Sequence, residues 1–332
     1  MPKPNPYRPF EPDPEFMQLW PDGISGNAIN GLGETEVRRP DVVWWTTGKE
    51  DIAFGEMQKW FYQHEPKIDK LMALRQERRA IIEAPLPQIA EKPAQRTPQE
   101  WTAQLDQFME RGVAEQVGVT SLRPEWVYAH HRTAFKQVIL LAVQHQYDEL
   151  KTAPTLQAGI EVTYQYCRAA EAAKQVAGWL REQGWDAEPV TGPMVGKILM
   201  IPHAIEAGFG ELGKHGSMIN AKFGSAFRLG AVLTDAPFAE TGRHSFGVDD
   251  FCINCRVCEE ACPPAAISAD KQQVRGETKW YVDFDKCIPF FAETSGCAIC
   301  IAVCPWSRPG VSENLISKLA RRAERKNLQD AE

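Results

Sequence analysis

CINCRVCEEACP, from Cys252 to Pro263, and GCAICIAVCPW, from Gly296 to Trp306, hold seven of the chain's nine cysteines, and Cys287 between them makes eight. The first stretch reads C-x2-C-x2-C-x3-C-P. In that spacing a tight loop points three thiolates at one iron–sulfur cubane, and the fourth crosses to a second cubane. Cys252, Cys255, Cys258 and Cys304 are therefore assigned to one [4Fe–4S] cluster, and Cys287, Cys297, Cys300 and Cys262 to the other. The gap between Cys287 and Cys297 is longer than the simple repeat and predicts an inserted loop, Ile288 to Gly296, bulging beside the second cluster. A zinc site would favour two separated cysteine pairs. Disulfides would need an oxidising compartment, which nothing in the sequence announces.

Composition is that of an ordinary globular protein: 332 residues, 43% hydrophobic, 24% charged, with a formal net charge of −7. The acidic balance argues against a broad nucleic-acid footprint. The start, MPKPNPYRPFEPDPEF, is proline-rich and has no apolar stretch of the kind a secretory signal needs. Arg38-Arg39 is followed by Pro40 and no hydrophobic run, so a twin-arginine signal is not expected. No segment approaches the roughly 18 apolar residues of a membrane span. A cytoplasmic location is expected.

Four regions follow from the patterning. Residues 1–96 read as an extended arm with exposed aromatics (Trp20, Trp44, Trp45), then a helical stretch over Glu56 to Glu83 and the linker APLPQIAEKPAQRTP. Thr97-Pro98-Gln99-Glu100 is a helix start, with Thr97 as the cap and proline at the first helical position. It opens a domain over 97–245. Within that domain KQVILLAV (Lys136 to Val143) reads as a strand covered on both faces. CRAAEAAKQVAGWLREQG (Cys167 to Gly184) reads as an alanine-rich helix stopped by glycine. KILMI (Lys197 to Ile201) and LGAVLTD (Leu229 to Asp235) read as further strands. The fold class expected is a layered α/β or α+β core followed by a ferredoxin-like two-cluster module over 246–312. Residues 313–332 form a terminal amphipathic helix, Glu313 to Lys326, packed on the core.

Gly208-Phe-Gly210-Glu-Leu-Gly213 matches G-x-G-x-x-G, but HAIEA before it is helical in pattern, whereas the dinucleotide fingerprint needs a strand running into the first glycine. Four glycines within nine residues (Gly208, Gly210, Gly213, Gly216) still require tight turns or close approach of the backbone to something large.

Upstream of the cysteines, IPHAIEAGFGELGKHGSMINAKFGSAFRLGAVLTDAPF (Ile201 to Phe238), followed by the F-C-x2-C entry at Phe251, resembles the corrinoid-dependent reductive dehalogenase family. GCAICIAVCPW is similar to that family's second cluster motif. The likeness extends over about residues 97–310 and includes RPEWVY at Arg123 to Tyr128. It implies a base-off cobalamin, reduced to cob(I)alamin, held between core and cluster module and fed by the nearer cluster. The chain has no D-x-H-x-x-G motif to supply a histidine to cobalt. Gly208, Gly210, Gly213, Ser217, Asn220, Lys222, Phe223 and Thr234 are the corrinoid contacts that the resemblance implies. The chain is short for the family, and neither the export signal of respiratory members nor the fused reductase domain of some catabolic ones is expected.

The family's proton donor is a tyrosine beside a cation, which stabilises the phenolate. Tyr164 and Tyr166 in TYQYC, expected just before the alanine-rich helix, are the candidates, with Tyr166 preferred for its spacing to Arg228. Arg228 is the cation and Lys222 the second choice. Cys167 is expected to be a small buried hydrophobe rather than a ninth ligand. His203, His215 and His244 are expected in packing or surface roles, and His130-His131 at the surface. Trp280, Phe290, Phe291 and Trp306 are expected to shield the clusters from water. The function expected is reductive dehalogenation of a small aromatic organohalide, with an external ferredoxin or flavodoxin as donor. An epoxyqueuosine-reductase-like enzyme acting on tRNA and a non-catalytic dicluster electron carrier are the alternatives.

Overall fold

The computed structural model describes residues 5–46, 52–192 and 196–329. KQVILLAV forms most of β2 (Gln137–Gln144), an inner strand of a four-stranded antiparallel sheet. The order is β1 (Gln116–Ser121), β2, β6 (Phe227–Thr234), β3 (Ala187–Val190). In register, Leu140 lies opposite Gly118 on one side and Ala231 on the other. Ile139 and Leu141 point into a layer with Trp101, Val176 and Leu180. Val138, Leu140 and Ala142 point into a second layer with Ala204, Phe209 and Phe223. The unbroken apolar run thus reports cover on both faces, whatever the strand direction, and each such Val, Leu or Ile stabilises the fold by about 1.5–3 kcal/mol.

The alanine-rich helix runs over Leu156–Glu182, so it begins well before Cys167, and TYQYC lies inside it. Val162, Thr163 and the tyrosines lower helix propensity locally, but burial of Ala158, Ile160 and Gln165 outweighs that weak preference. Small residues bring the helix close to the sheet: a Cβ on Gly230 of β6 would lie 2.6 Å from the Ala169 carbonyl oxygen. Helix Pro98–Met109 starts as expected, with Thr97 and Glu100 exchanging a capping box over a buried Trp101.

Three local expectations are corrected. KILMI is not a strand: Ile198 makes one bridge to Val127, and the helix Met200–Glu206 begins two residues later, with Pro202 tolerated in its first turn. The stretch from Glu56 to Glu83 is two helices, Gly55–His64 and Asp69–Glu83. Pro66 forces Glu65 into an extended conformation (ψ 133°) and breaks the run. Ile288 to Gly296 is mostly helix rather than a bulging loop. Helix Phe284–Glu293 is capped by Asp283, carries Cys287 and continues through Pro289, with Ile288 and Ala292 buried in the arm's aromatic core on one side and Phe290 against Tyr7 and Phe10 on another.

Trp20, Trp44 and Trp45 of the arm are likewise not exposed. Phe16, Trp44, Phe54, Met57 and Phe61 pack on Ile288 and Ala292, with Trp20 and Trp45 half-buried at the edge. The arm therefore wraps the second half of the cysteine module. The terminal helix, Val311–Gln329, packs Leu315, Ile316 and Leu319 against Trp306, Phe246 and Phe251. Among the described residues no helix is long and apolar enough to cross a membrane.

Candidate functional site

Two short helices, Val248–Asn254 and Val257–Ala261, carry Cys252 and Cys258, with Cys255 in the turn between them. Cys304 packs with Cys252, Trp280 and Trp306. It lies within electrostatic reach of Cys252, Cys258 and Cys255. Cys300 is close in the same sense to Cys297, Cys287 and Cys262, and also to Cys258. Cys258 also packs with Cys262, Cys287 and Cys300, so the eight thiols gather in one region of the module. Burial pushes Cys252 up to about 11 and Cys258 and Cys304 up to about 12. It does the same to Cys287, to about 12, and Cys297, to about 11. Such thiols stay protonated at neutral pH until a metal displaces their protons.

Among the described residues no three His, Cys, Asp or Glu side chains converge on one point as a lone metal ion requires. Eight cysteines at this spacing are a donor set that two multi-iron cores would take. In the second set the backbone is strained. Cys297 and Ala298 both have positive φ (51° and 64°), costing about 1–2 kcal/mol each for non-glycine residues. The Cys297 N–H donates to the Thr294 hydroxyl at 3.0 Å, which holds the turn.

Tyr166 and Arg228 are brought together: the Arg228 guanidinium carbon lies 5.0 Å from the centre of the tyrosine ring. Arg228 Nε is buried without a hydrogen-bond partner. Tyr164 is 44% exposed and lines a separate open cavity of about 310 Å³ with Lys70, Glu149 and Glu161. Lys222 is exposed and lies over Phe223 instead.

Arg78 also stands over the Tyr166 ring, at 5.7 Å, and the sequence reading missed it. Its signal was a charged residue in helical phase with Leu71, Leu74 and Ile81, on the stripe that faces inward. Burial lowers the Arg78 pKa, with Tyr166 and Tyr62 acting in the opposite direction. Arg78 Nη2 donates to the Thr191 carbonyl at 3.3 Å, and Gly192 (φ +94°) closes on the ring: a Cβ there would lie 3.4 Å from Tyr166.

Behind Arg228, Glu161 accepts from the Gln146 N–H and the Gln165 amide, both at 2.8 Å, and meets His145 Nδ1 at 3.2 Å. Burial, with the nearby Arg228 charge adding, lowers His145 to about 4 against the pull of Glu161. The pair is therefore a neutral imidazole donating to an ionised carboxylate.

The glycine-rich segment is occupied with the protein itself. A Cβ on Gly210 would meet the Ile219 carbonyl oxygen at 2.0 Å, one on Gly208 the Gly242 carbonyl oxygen at 2.6 Å, and one on Gly213 the His215 ring at 2.8 Å. The Asn220 side chain donates to the Phe209 carbonyl and Gln116 and accepts from the Lys222 and Phe223 N–H groups. Phe223 is core. Thr234 is fully buried at the far end of β6 from Arg228 and donates to the Asp186 carbonyl. The Ser217 N–H donates to His215. These residues shape the hairpin of β4 (Glu211–Leu212) and β5 (Met218–Ile219), so a corrinoid would meet the surface they build.

The three buried histidines among the described residues are His145, His203 and His215, and each has protein hydrogen-bond partners. The unpartnered Arg228 Nε fits a ligand at the Tyr166 end. His244 and His130 are exposed and His131 is half-buried. Cys167 is buried and hydrogen-bonds the Leu74 carbonyl, away from both cysteine sets.

Residues 251–307 match the family model described as a 4Fe-4S dicluster domain. Joined to an antiparallel sheet flanked by helices, that module makes this a mixed α/β dicluster iron–sulfur protein. The chain is 33% identical over 241 residues to the tetrachloroethene reductive dehalogenase of Dehalobacter restrictus, covering 68% of this chain and 42% of that protein. It is 31% identical over 146 residues to the epoxyqueuosine reductase of a Synechococcus species, 41% of this chain and 43% of that one. The catabolic reductive dehalogenase NpRdhA shares the fold, with TM-score 0.75 and 21% identity over 92% of this chain and 49% of that one. The chain is similar to reductive dehalogenases over about two thirds of its length, and these relatives, like the epoxyqueuosine reductase, are oxidoreductases. It spans less than half the length of these relatives.

Proposed function

We propose that the protein carries out reductive dehalogenation: an organohalide takes up two electrons and one proton, the carbon–halogen bond breaks, a carbon–hydrogen bond forms and halide leaves. The observation that carries this reading is Tyr166 set under Arg228 and Arg78 in a chain that also gathers eight buried or half-buried cysteines. Cys252, Cys255, Cys258 and Cys304 hold one [4Fe–4S] cluster and Cys262, Cys287, Cys297 and Cys300 the other. A base-off corrinoid bound at the Tyr166 end would supply the low-potential centre that delivers electrons to the carbon–halogen bond.

Tyr166 donates its phenolic proton to the carbon that loses halogen. Arg228, and Arg78 with it, stabilise the phenolate left behind. Gly192 holds the ring in place. Two guanidinium groups around one ring also favour an anionic, electron-rich substrate, so the class proposed is a small haloaromatic bearing a phenolate or carboxylate. NpRdhA, of the same fold, has been captured in complex with 3-bromo-4-hydroxybenzoic acid. The electron donor proposed is a low-potential ferredoxin or flavodoxin in the cytoplasm.

The test is halide release by anaerobically purified protein loaded with iron, sulfide and cobalamin, under a low-potential reductant. Bromide should be released from a bromohydroxybenzoate faster than chloride from tetrachloroethene. Loaded protein that released no halide from either, yet reduced an epoxyqueuosine-containing tRNA stem-loop, would overturn the proposal.

A further inference from the structure

Lys214 sits in the β4–β5 hairpin of the core but sends its ammonium into the cysteine module, where only 2% of its side chain meets solvent. Its partners there are weak. Nζ lies 3.5 Å from the Ile253 carbonyl oxygen, 3.8 Å from the Glu259 carboxylate and 5.1 Å from the centre of the Trp280 ring. Arg256 already binds the same carboxylate at 2.7 Å. A lysine taken out of water is costly unless a counter-charge meets it, and one long contact to a shared carboxylate does not supply that. Two sulfur positions lie beside it. The backbone N–H of Lys214 hydrogen-bonds Cys252, and its charge reaches both Cys252 and Cys258.

The second cysteine set has a different environment. The cation near Cys262 is Arg8, an exposed residue of the arm that binds the Cys262 carbonyl oxygen and is screened by water.

We infer that Lys214 is the internal counter-charge of the cluster held by Cys252, Cys255, Cys258 and Cys304, and that it sets that cluster's reduction potential above that of its neighbour. This rests on the two-cluster reading above. A cubane with four thiolates is anionic and becomes more so on taking up an electron. A fixed cation in a dry environment therefore stabilises the reduced form more than the oxidised form and raises the potential. Glu259, the carboxylate nearest the ammonium, works in the opposite direction.

The experiment is a potentiometric titration of the iron-loaded protein followed by electron paramagnetic resonance, on the parent, Lys214→Met and Glu259→Gln. Lys214→Met should disfavour reduction of one cluster by at least about tenfold, which is 59 mV for a one-electron couple. The other cluster should move much less, and Glu259→Gln should shift the same cluster in the opposite direction. Parent protein that holds fewer than two clusters, by iron content and spin count, would remove both the two-cluster reading and this inference. Two intact clusters whose potentials stay put in Lys214→Met, or shift equally, would overturn the role of Lys214 alone. If Lys214→Met loses iron, Glu259→Gln decides: an unmoved pair of potentials overturns the inference.

Discussion

At the scale of single residues, Tyr166 is proposed to carry the chemistry and the arginines to condition it. Tyr166→Phe removes one hydroxyl and leaves the ring stack with Arg228 and Arg78, so both cofactors should stay bound while turnover falls by about 10²–10⁴-fold, the contribution of a positioned general acid. Arg228→Lys should retain more activity than Arg228→Ala, because charge is the main need. Near-parent turnover in Tyr166→Phe would exclude the tyrosine as acid. His215 gives a pH prediction of a different kind. Its Nε2 donates to the Ser225 hydroxyl, which in turn donates to the Met218 carbonyl, and its Nδ1 accepts from the Ser217 N–H. A second proton would break that last bond, and burial lowers the pKa from 6.5 to about 4. The neutral form is favoured on folding, so this contribution is complete above pH 6.5 and is lost as pH falls toward 4. By pH 5.5 the loss is roughly 1 kcal/mol. Denaturant melts at pH 7.5 and 5.5 should show it, and His215→Gln should lose less on the same step.

At the scale of elements, the long helix and β6 are what set Tyr166 against Arg228, and their spacing depends on Gly230. Gly230→Ala puts a methyl group against the Ala169 backbone, where no side chain can yield. The expected cost is about 1–3 kcal/mol from overpacking, with a drop in kcat larger than that of an equally destabilising change in helix Pro98–Met109. Matched melts and rates would settle this, and equal losses would argue against it. The two inner strands, β2 and β6, were legible because their apolar runs are unbroken, whereas the outer strands β1 and β3 carry no such run and were not legible; the helix stop at Gly184 is unambiguous. The start of the long helix was not, because LQAGIEVTYQY has poor propensity and becomes helical through burial of Ile160, Glu161 and Gln165. The same kind of override explains helix Phe284–Glu293: the long gap between Cys287 and Cys297 argued for a loop, but the segment's apolar residues had a partner, the arm, which no local pattern reveals. Tyr166 and Arg228 could be proposed from their spacing. Arg78 could not be placed, because only the packing of helix Asp69–Glu83 on the long helix brings it to the ring.

At the scale of the whole molecule, the arm and the helix that carries Cys287 form one unit. Loaded protein should contain about eight irons as two cubanes. Cys167→Ser should leave that number unchanged, because Cys167 faces Leu74, while Cys258→Ala should lower it. Cys287 stands on helix Phe284–Glu293, whose outer face is the surface the arm packs on through Phe16, Trp44, Phe54 and Phe61. Polar contacts fasten the same join: Ser25 to Asp285 at 2.6 Å, Asn27 to Asp283 at 2.8 Å, and Arg8 to the Cys262 carbonyl at 3.0 Å. Without iron, this end must hold dry protonated thiols and the strained Cys297–Ala298 turn with nothing to offset them. Metal that binds only the folded form stabilises it in proportion to its occupancy. Chelating the iron should therefore release hydrogen-exchange protection first in Phe284–Glu293 and in residues 16–29 of the arm, while β2 and β6, whose core contains no cysteine ligand, stay protected. Loss of protection in β2 at the same rate as in the arm would mean that the clusters hold the entire fold rather than one end of it.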